Sequence, residues 1–158
     1  MKKIYYDVEK CLGCKSCEVY CAVGKSESKQ LFRAVFEEAR AYPCVDVKQV
    51  GKNSFPIACR HCQDHPCVDA CIAGALCFDA KAGIVQHNKD KCVGCWLCIM
   101  VCPYGAIRQN SKLKIPVRCD LCQDEQAPRC VEACPTGAII FVEEEEVSKL
   151  KEKKKGKK

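Results

Sequence analysis

Sixteen of the eighteen cysteines in this 158-residue chain fall into four groups of four. No other feature limits the possible folds as much. Cys11, Cys14, Cys17 and Cys21 are spaced C-x2-C-x2-C-x3-C. Cys59, Cys62, Cys67 and Cys71 follow C-x2-C-x4-C-x3-C. Cys92, Cys95, Cys98 and Cys102 repeat the first spacing and precede Pro103. Cys119, Cys122, Cys130 and Cys134 follow C-x2-C-x7-C-x3-C and precede Pro135. Cysteine is about 11% of the chain, a level that marks a disulfide or metal scaffold. Aromatics are only 7%, so a conventional core would be small and bound metal is expected to supplement it.

No apolar run approaches the ~18 residues of a membrane span. Met1-Lys2-Lys3-Ile4 runs into Tyr5-Tyr6-Asp7 without a secretory apolar region or twin arginine. A cytoplasmic location is expected, and that compartment favours metal ligation over disulfides. Groups one and three match the run that binds [4Fe–4S] centres in bacterial two-cluster ferredoxins. Three thiolates close in sequence can grip three irons of one cubane while the curling backbone turns its amides toward sulfur. Gly13 and Gly94 suit the tight turn between ligands. The fourth cysteine lies beyond the loop and in such runs serves a second cluster. Proline after it fixes φ and carries no N–H; groups one and two have Ala22 and Ile72 there. Four-cysteine zinc sites are the competing reading, but they pair two CxxC units across a longer gap.

The tails of the tetrads repeat. CVEACPTGAII (130–140), CIMVCPYGAIR (98–108) and CVDACIAGALC (67–77) are one unit written three times, and CEVYCAVGKSE (17–27) is a looser copy. Short helical turns are expected at each third-to-fourth cysteine step. Strands are expected at Ile4 to Val8, Leu76 to Phe78, Ile84 to His87 and Ile139 to Val142, with a hairpin turn over 79–83. In the tetrad-free insert, Ser26 is read as the N-cap of a helix near 27–40 that Pro43 stops. Val45 to Val50 alternates as a strand, and Phe55 to Ala58 is its return. The lysine-rich end, preceded by Glu143 to Glu146, reads as a solvated, frayed tail, with an electrostatic docking arm as the sharper alternative.

Residues 149–158 hold seven lysines and one glutamate, so they carry all of the formal +6. With sixteen thiolates and four oxidised cluster cores the body falls to about −8. This argues against a nucleic-acid binder, and no Walker or Rossmann glycine motif is present.

Four tetrads in this order, with the x4 gap in the second, resemble the four-cluster iron–sulfur subunits of redox complexes, over roughly residues 4–142. CLGCKSCEVYCAVGKSESK, CRHCQDHPCVDAC and RCDLCQDEQAPRCVEACPTGAI are most similar to the ferredoxin-like electron-transfer partner of carbon monoxide dehydrogenase. The resemblance implies an α+β fold of two ferredoxin-like lobes, a duplicated two-cluster architecture with short strands and helices around four clusters. One lobe would comprise residues 1–23 and 108–142 and the other 54–107, with an insert at 24–53 and a charged tail at 143–158. It implies four [4Fe–4S] clusters. Their ligands would be Cys11, Cys14, Cys17 and Cys134; Cys119, Cys122, Cys130 and Cys21; Cys59, Cys62, Cys67 and Cys102; and Cys92, Cys95, Cys98 and Cys71. The implied work is outer-sphere electron transfer from carbon monoxide dehydrogenase to a hydrogenase or a nicotinamide or flavin reductase, with no nucleic acid bound. A subunit of a formate dehydrogenase, hydrogenase or molybdopterin oxidoreductase is the alternative in the same class. A redox-sensing or structural metalloprotein is the alternative of another class.

Cys44 and Cys77 stand outside the tetrads and read as small buried apolar residues. His61 and His65 are candidate donors to cluster sulfur, and His87 reads as surface. Arg60, Lys15 and Arg118 lie beside ligand cysteines, where they would offset cluster charge. No nucleophile–base pair or paired carboxylates appear, so the chain is expected not to be an enzyme but a subunit serving one.

Overall fold

The computed structural model describes residues 1–155. The chain is a small mixed fold of short helices and two-stranded antiparallel ribbons. β1 (Lys2–Tyr6) pairs with β8 (Ile139–Glu143), from Lys2 opposite Glu143 to Tyr6 opposite Ile139. The first strand therefore meets the last, and a bond from Asp7 N–H to Ala138 O (2.7 Å) extends the pairing. Between them, β2 (Val45–Val50) pairs with β3 (Asn53–Ala58), β4 (Leu76–Asp79) with β5 (Ile84–His87), and β6 (Arg108–Asn110) with β7 (Ile115–Val117). These strands are three to six residues long, most of them ending where a cysteine loop or a turn begins.

The helices carry the cysteine steps. α1 spans Ser16–Lys25; α2 is Leu31–Phe36; α3 is Pro66–Asp69; α4 is Leu97–Met100; α5 is Arg129–Glu132; α6 is Glu144–Lys155. α1 packs on α5, and α3 packs on α4. Two groups of buried residues result. One joins Cys17, Cys21, Cys44, Val45, Val47, Ala58, Cys119, Cys130 and Ile139. The other joins Cys67, Leu76, Val85, Cys98 and Ile107. Cysteine contributes as much to these cores as the aliphatic residues do, a consequence of the composition.

Most expected elements form, with local differences. The first strand ends at Tyr6 rather than Val8, because the Asp7 carboxylate accepts the Glu9 N–H (3.1 Å) and opens a 3-10 turn at Val8–Lys10. The helix expected near 27–40 shrinks to Leu31–Phe36. Ser26 does not cap it; its backbone N–H and its hydroxyl both donate to Val23 O (3.1 and 2.6 Å), closing α1. Lys29 at φ 53 then breaks the path, and the Glu37 carboxylate takes up the N–H and hydroxyl of Ser28 (2.8 and 2.6 Å). The β6–β7 hairpin was not expected. Asn110 Oδ1 accepts the N–H groups of Lys112 and Leu113 (both 3.1 Å), an Asx turn that folds it.

Cys77 is exposed, not buried, because β4 turns it away from the face that carries buried Leu76. His87 is partly buried rather than on the surface. The charged end is helical through Lys155, with Glu144, Glu145 and Glu146 in its first turn, where the helix dipole favours carboxylates. Lys3 Nζ anchors that turn through Glu144 (2.5 Å). Residues 156–158 of the expected tail lie outside the described residues. Among the described residues no helix is long and apolar enough to cross a membrane.

Gly94 has φ +68, and a Cβ there would lie 2.7 Å from the Lys114 carbonyl oxygen; Gly51 has φ +59 but open space around it. Gly51→Ala is therefore expected to cost about 1–2 kcal/mol from the left-handed backbone alone. Gly94→Ala should cost clearly more, because a backbone oxygen cannot retreat as a side chain can. Thermal unfolding of the two variants beside the parent checks this, and equal losses would refute the clash.

Candidate metal centres

Each of the three close repeats builds the same turn around its last cysteine. After the helical turn, glycine at φ 57 to 62 (Gly74, Gly105, Gly137) returns its N–H to the cysteine carbonyl at 3.0–3.3 Å. The following alanine is driven inside: Ala75, Ala106 and Ala138 are all buried. Its N–H points at the cysteine sulfur, at 3.2 Å from Ala75 to Cys71 and 3.4 Å from Ala106 to Cys102. Cys134 receives N–H groups from Thr136, Ala138 and Ile139 and the Thr136 hydroxyl. Burial pushes this thiol up, but those donors outweigh it and hold Cys134 below the ordinary value.

The looser first copy solves the same problem differently. α1 runs on past Cys21 to Lys25, so no local loop amide is free to turn back. The insert supplies one: Cys44 N–H donates to Cys21 Sγ at 3.2 Å. The Cys44 thiol also donates to that sulfur, which holds Cys21 down and pushes Cys44 up. Cys44 is buried, as expected, but it acts as a donor to a tetrad sulfur, and only its spatial position reveals this.

Two cavities gather cysteines from different tetrads. One is lined by Cys92, Cys95 and Cys98 of the third tetrad together with Cys71 of the second, closed by Ala75, Leu76 and Trp96. The other is lined by Cys59, Cys62 and Cys67 of the second together with Cys102 of the third, beside Pro66 and Ile107. The packing of α3 against α4 brings this about, since Cys71 and Cys102 each lie just beyond one of those helices. In the other core Cys17, Cys21, Cys119 and Cys130 are buried together, with Cys11, Cys59 and Cys134 packed against them. Cys122 feels the charge of Cys21, and Cys17 that of Cys11 and Cys14. Cys14 and Cys95 remain exposed at the surface.

The donor set suits a soft, thiophilic group. Burial pushes Cys17 and Cys119 up to about 12 and Cys98 up to about 11. These thiols hold protons at neutral pH until a cation displaces them, so loading would release protons. Among the described residues no three His, Cys, Asp or Glu side chains converge on one point as a single-ion site requires. Buried donors also stand without protein partners: the Tyr6 hydroxyl, which feels the charge of Cys119, Cys130, Cys21 and Cys59, together with His61 Nε2 and Arg118 Nε. Orphaned polar groups beside sulfur fit a site for a sulfur-rich anionic group.

The remaining expected residues divide. His61 is buried and accepts the Val85 N–H at Nδ1 (3.1 Å). His65 stacks near Phe78, with ring centroids 4.8 Å apart. Arg60 lies over the Tyr104 ring at 4.5 Å. Lys15 is exposed and serves the backbone, at φ 61 before α1. Arg118 is buried at the junction of the two cores, its guanidinium on Val85 O and Cys59 Sγ.

The family model of the 4Fe–4S dicluster domain matches residues 50–144. An iron–sulfur protein of Rhodospirillum rubrum is 39% identical over 156 residues, covering 89% of this chain and 81% of that protein. The electron transport protein HydN of Escherichia coli (strain K12) is 34% identical over 168 residues, covering 96% and 94%. Protein NrfC of the same strain is 37% identical over 141 residues, covering 86% of this chain and 62% of NrfC.

Burial, reinforced by the Arg118 charge, lowers His61 from 6.5 to about 4. Between those values the unfolded chain binds a proton that the folded chain refuses. Stability present above pH 6.5 is therefore lost as pH falls toward 4, by up to about 3 kcal/mol. His61→Gln keeps an acceptor for Val85 without this titration. Its stability deficit against the parent at pH 7 should shrink by about 2 kcal/mol at pH 5, as read by urea unfolding. An equal deficit at both pH values would show that His61 is not buried neutral.

Proposed function

The chain belongs to the 4Fe–4S dicluster family, and from that premise we propose that it is an electron-transfer protein carrying four [4Fe–4S] clusters between a catalytic redox subunit and an acceptor. The observation that carries this reading is the pair of cavities in which three cysteines of one tetrad meet the last cysteine of another. That crossing is what two clusters sharing two C-x2-C-x2-C-x3-C-type runs require. On this reading Cys92, Cys95, Cys98 and Cys71 hold one cluster, and Cys59, Cys62, Cys67 and Cys102 its neighbour. Cys119, Cys122, Cys130 and Cys21, and Cys11, Cys14, Cys17 and Cys134, hold the other two. Residues 54–107 form one lobe, and residues 1–23 with 108–142 the other.

When bound, such clusters supply one-electron oxidation and reduction. The chain's part is to wall them from water, turn amides onto their ligand sulfurs and fix the surrounding charge. No bond of a substrate is made or broken by this chain. HydN, named as an electron transport protein, supports the electron-carrier role. Carbon monoxide dehydrogenase is our first choice of donor, on the quoted stretches around tetrads one, two and four. A hydrogenase or a nicotinamide or flavin reductase is the acceptor. A formate dehydrogenase, hydrogenase or molybdopterin oxidoreductase is the second choice of complex.

Anaerobically purified protein is expected to hold about sixteen irons and as many acid-labile sulfides per chain. Its broad visible absorbance should bleach with dithionite. Cys71→Ser or Cys102→Ser should lose up to about a quarter of the iron, whereas exposed Cys77→Ala should lose none. A colourless protein binding zinc would sink the reading. Anaerobic pull-down of the tagged chain from its native cells, read by mass spectrometry, then decides the partner. Carbon monoxide dehydrogenase in the eluate supports the first choice, and a formate dehydrogenase, hydrogenase or molybdoenzyme subunit alone replaces it.

A further inference from the structure

Arg118 lies immediately before Cys119, yet its side chain reaches across to the second tetrad. The residue is only 8% exposed. Nη1 donates to Val85 O at 2.8 Å, and Nη2 lies 3.4 Å from Cys59 Sγ. The same Val85 donates its N–H to His61, so both backbone polar groups of this one β5 residue are taken by side chains beside tetrad cysteines. Cys59 is the shared element of the two halves. It lines the cavity with Cys62, Cys67 and Cys102, and it also packs against the core of Cys17, Cys21, Cys119 and Cys130.

A guanidinium is always charged, and burying it is costly without a counter-charge. Among the described residues no carboxylate forms an ion pair with Arg118. Nearby Asp120 is committed to Lys25 at 2.5 Å. The group facing the buried guanidinium is the Cys59 sulfur, and its field also reaches Cys67. The charge therefore lacks a partner unless that sulfur belongs to an anion.

We propose that Arg118 is a potential-setting residue: its guanidinium, bonded to the Cys59 sulfur, holds the second-tetrad centre at a higher reduction potential than that centre would otherwise have. The inference rests on the cysteines being cluster ligands. Reduction adds one electron and no proton to the centre, so its negative charge grows by one. A fixed buried cation favours the reduced form, and removing it must lower the midpoint potential. Because Arg118 is also the neighbour of Cys119, the residue links the second-tetrad centre to the fourth-tetrad one, at the place where the two cores touch.

The test is an anaerobic redox titration with dithionite and mediators, followed by electron paramagnetic resonance, on intact parent, Arg118→Gln and Arg118→Lys proteins. Iron and sulfide are counted in each. Arg118→Gln is expected to retain its iron and to show one or two midpoint potentials shifted down while the rest stay. Arg118→Lys keeps the charge but loses the forked donor geometry, and should fall between parent and Gln variant. If Arg118→Gln does not assemble its clusters, Arg118→Lys carries the test, and a downward shift supports the proposal. Unmoved potentials in every variant that assembles, or all potentials moving together, would overturn it. A parent protein without reducible clusters would overturn both this inference and the reading beneath it, and the iron and sulfide count identifies that case separately.

Discussion

An N–H group turned onto a cysteine sulfur is the contact on which the rest of the structure depends. In the repeats ending at Cys71 and Cys102 the donor is the alanine four residues on, bonded at 3.2 and 3.4 Å. Making that bond forces a left-handed glycine, buries the alanine and launches the next segment at a set angle. After Ala75 that segment is β4, and after Ala138 it is β8. Two strands, β4 and β8, are thus launched by cysteine turns, while β6–β7 is folded by the Asn110 turn.

The insert gains a purpose from the same contact. In the first copy the helix continues through the position where the loop amide would sit, and Cys44 from the insert takes its place. Val45 and Val47 then enter the same core as Cys21 and Cys119. Arg108 reinforces the arrangement by donating to Pro43 O and to Val45 O (3.3 Å), pinning the insert to the start of β6. Only α2 escapes this logic. Phe32 and Phe36, at 84% and 87% exposed, face away from every buried cluster.

Much of the secondary structure was legible in the sequence because each element has a local cause. Val45–Val50 and Ile84–His87 alternate or run apolar between turn residues and form strands with the expected limits. The helical turns at the cysteine steps follow from x3 spacing, which puts consecutive cysteines on one face. The failures also have causes. The helix expected near 27–40 shortens because carboxylate and hydroxyl bonds of Glu37 and Ser28 compete with it locally. The β6–β7 hairpin has no periodic signature in the sequence, because its signal is a single Asn110 side chain. Cys77 is exposed rather than buried because one residue of register decides which face of β4 a side chain occupies.

The sequence by itself determined the chemistry: sixteen cysteines in four tetrads, the spacing that curls the backbone around sulfur, and the glycines such turns demand. Those are local properties, carried by residues at most 18 positions apart, the span from Cys119 to Gly137. The tertiary structure decided which tetrads share a cavity, which amide serves Cys21, and that Arg118 touches the sulfur of Cys59. These partners are 23 to 59 residues apart in sequence, as Cys21 to Cys44 and Cys59 to Arg118 show. No local pattern encodes such distances. They are set by helix packing and by the requirement that a buried charge or an orphaned N–H find a partner wherever the folded chain provides one.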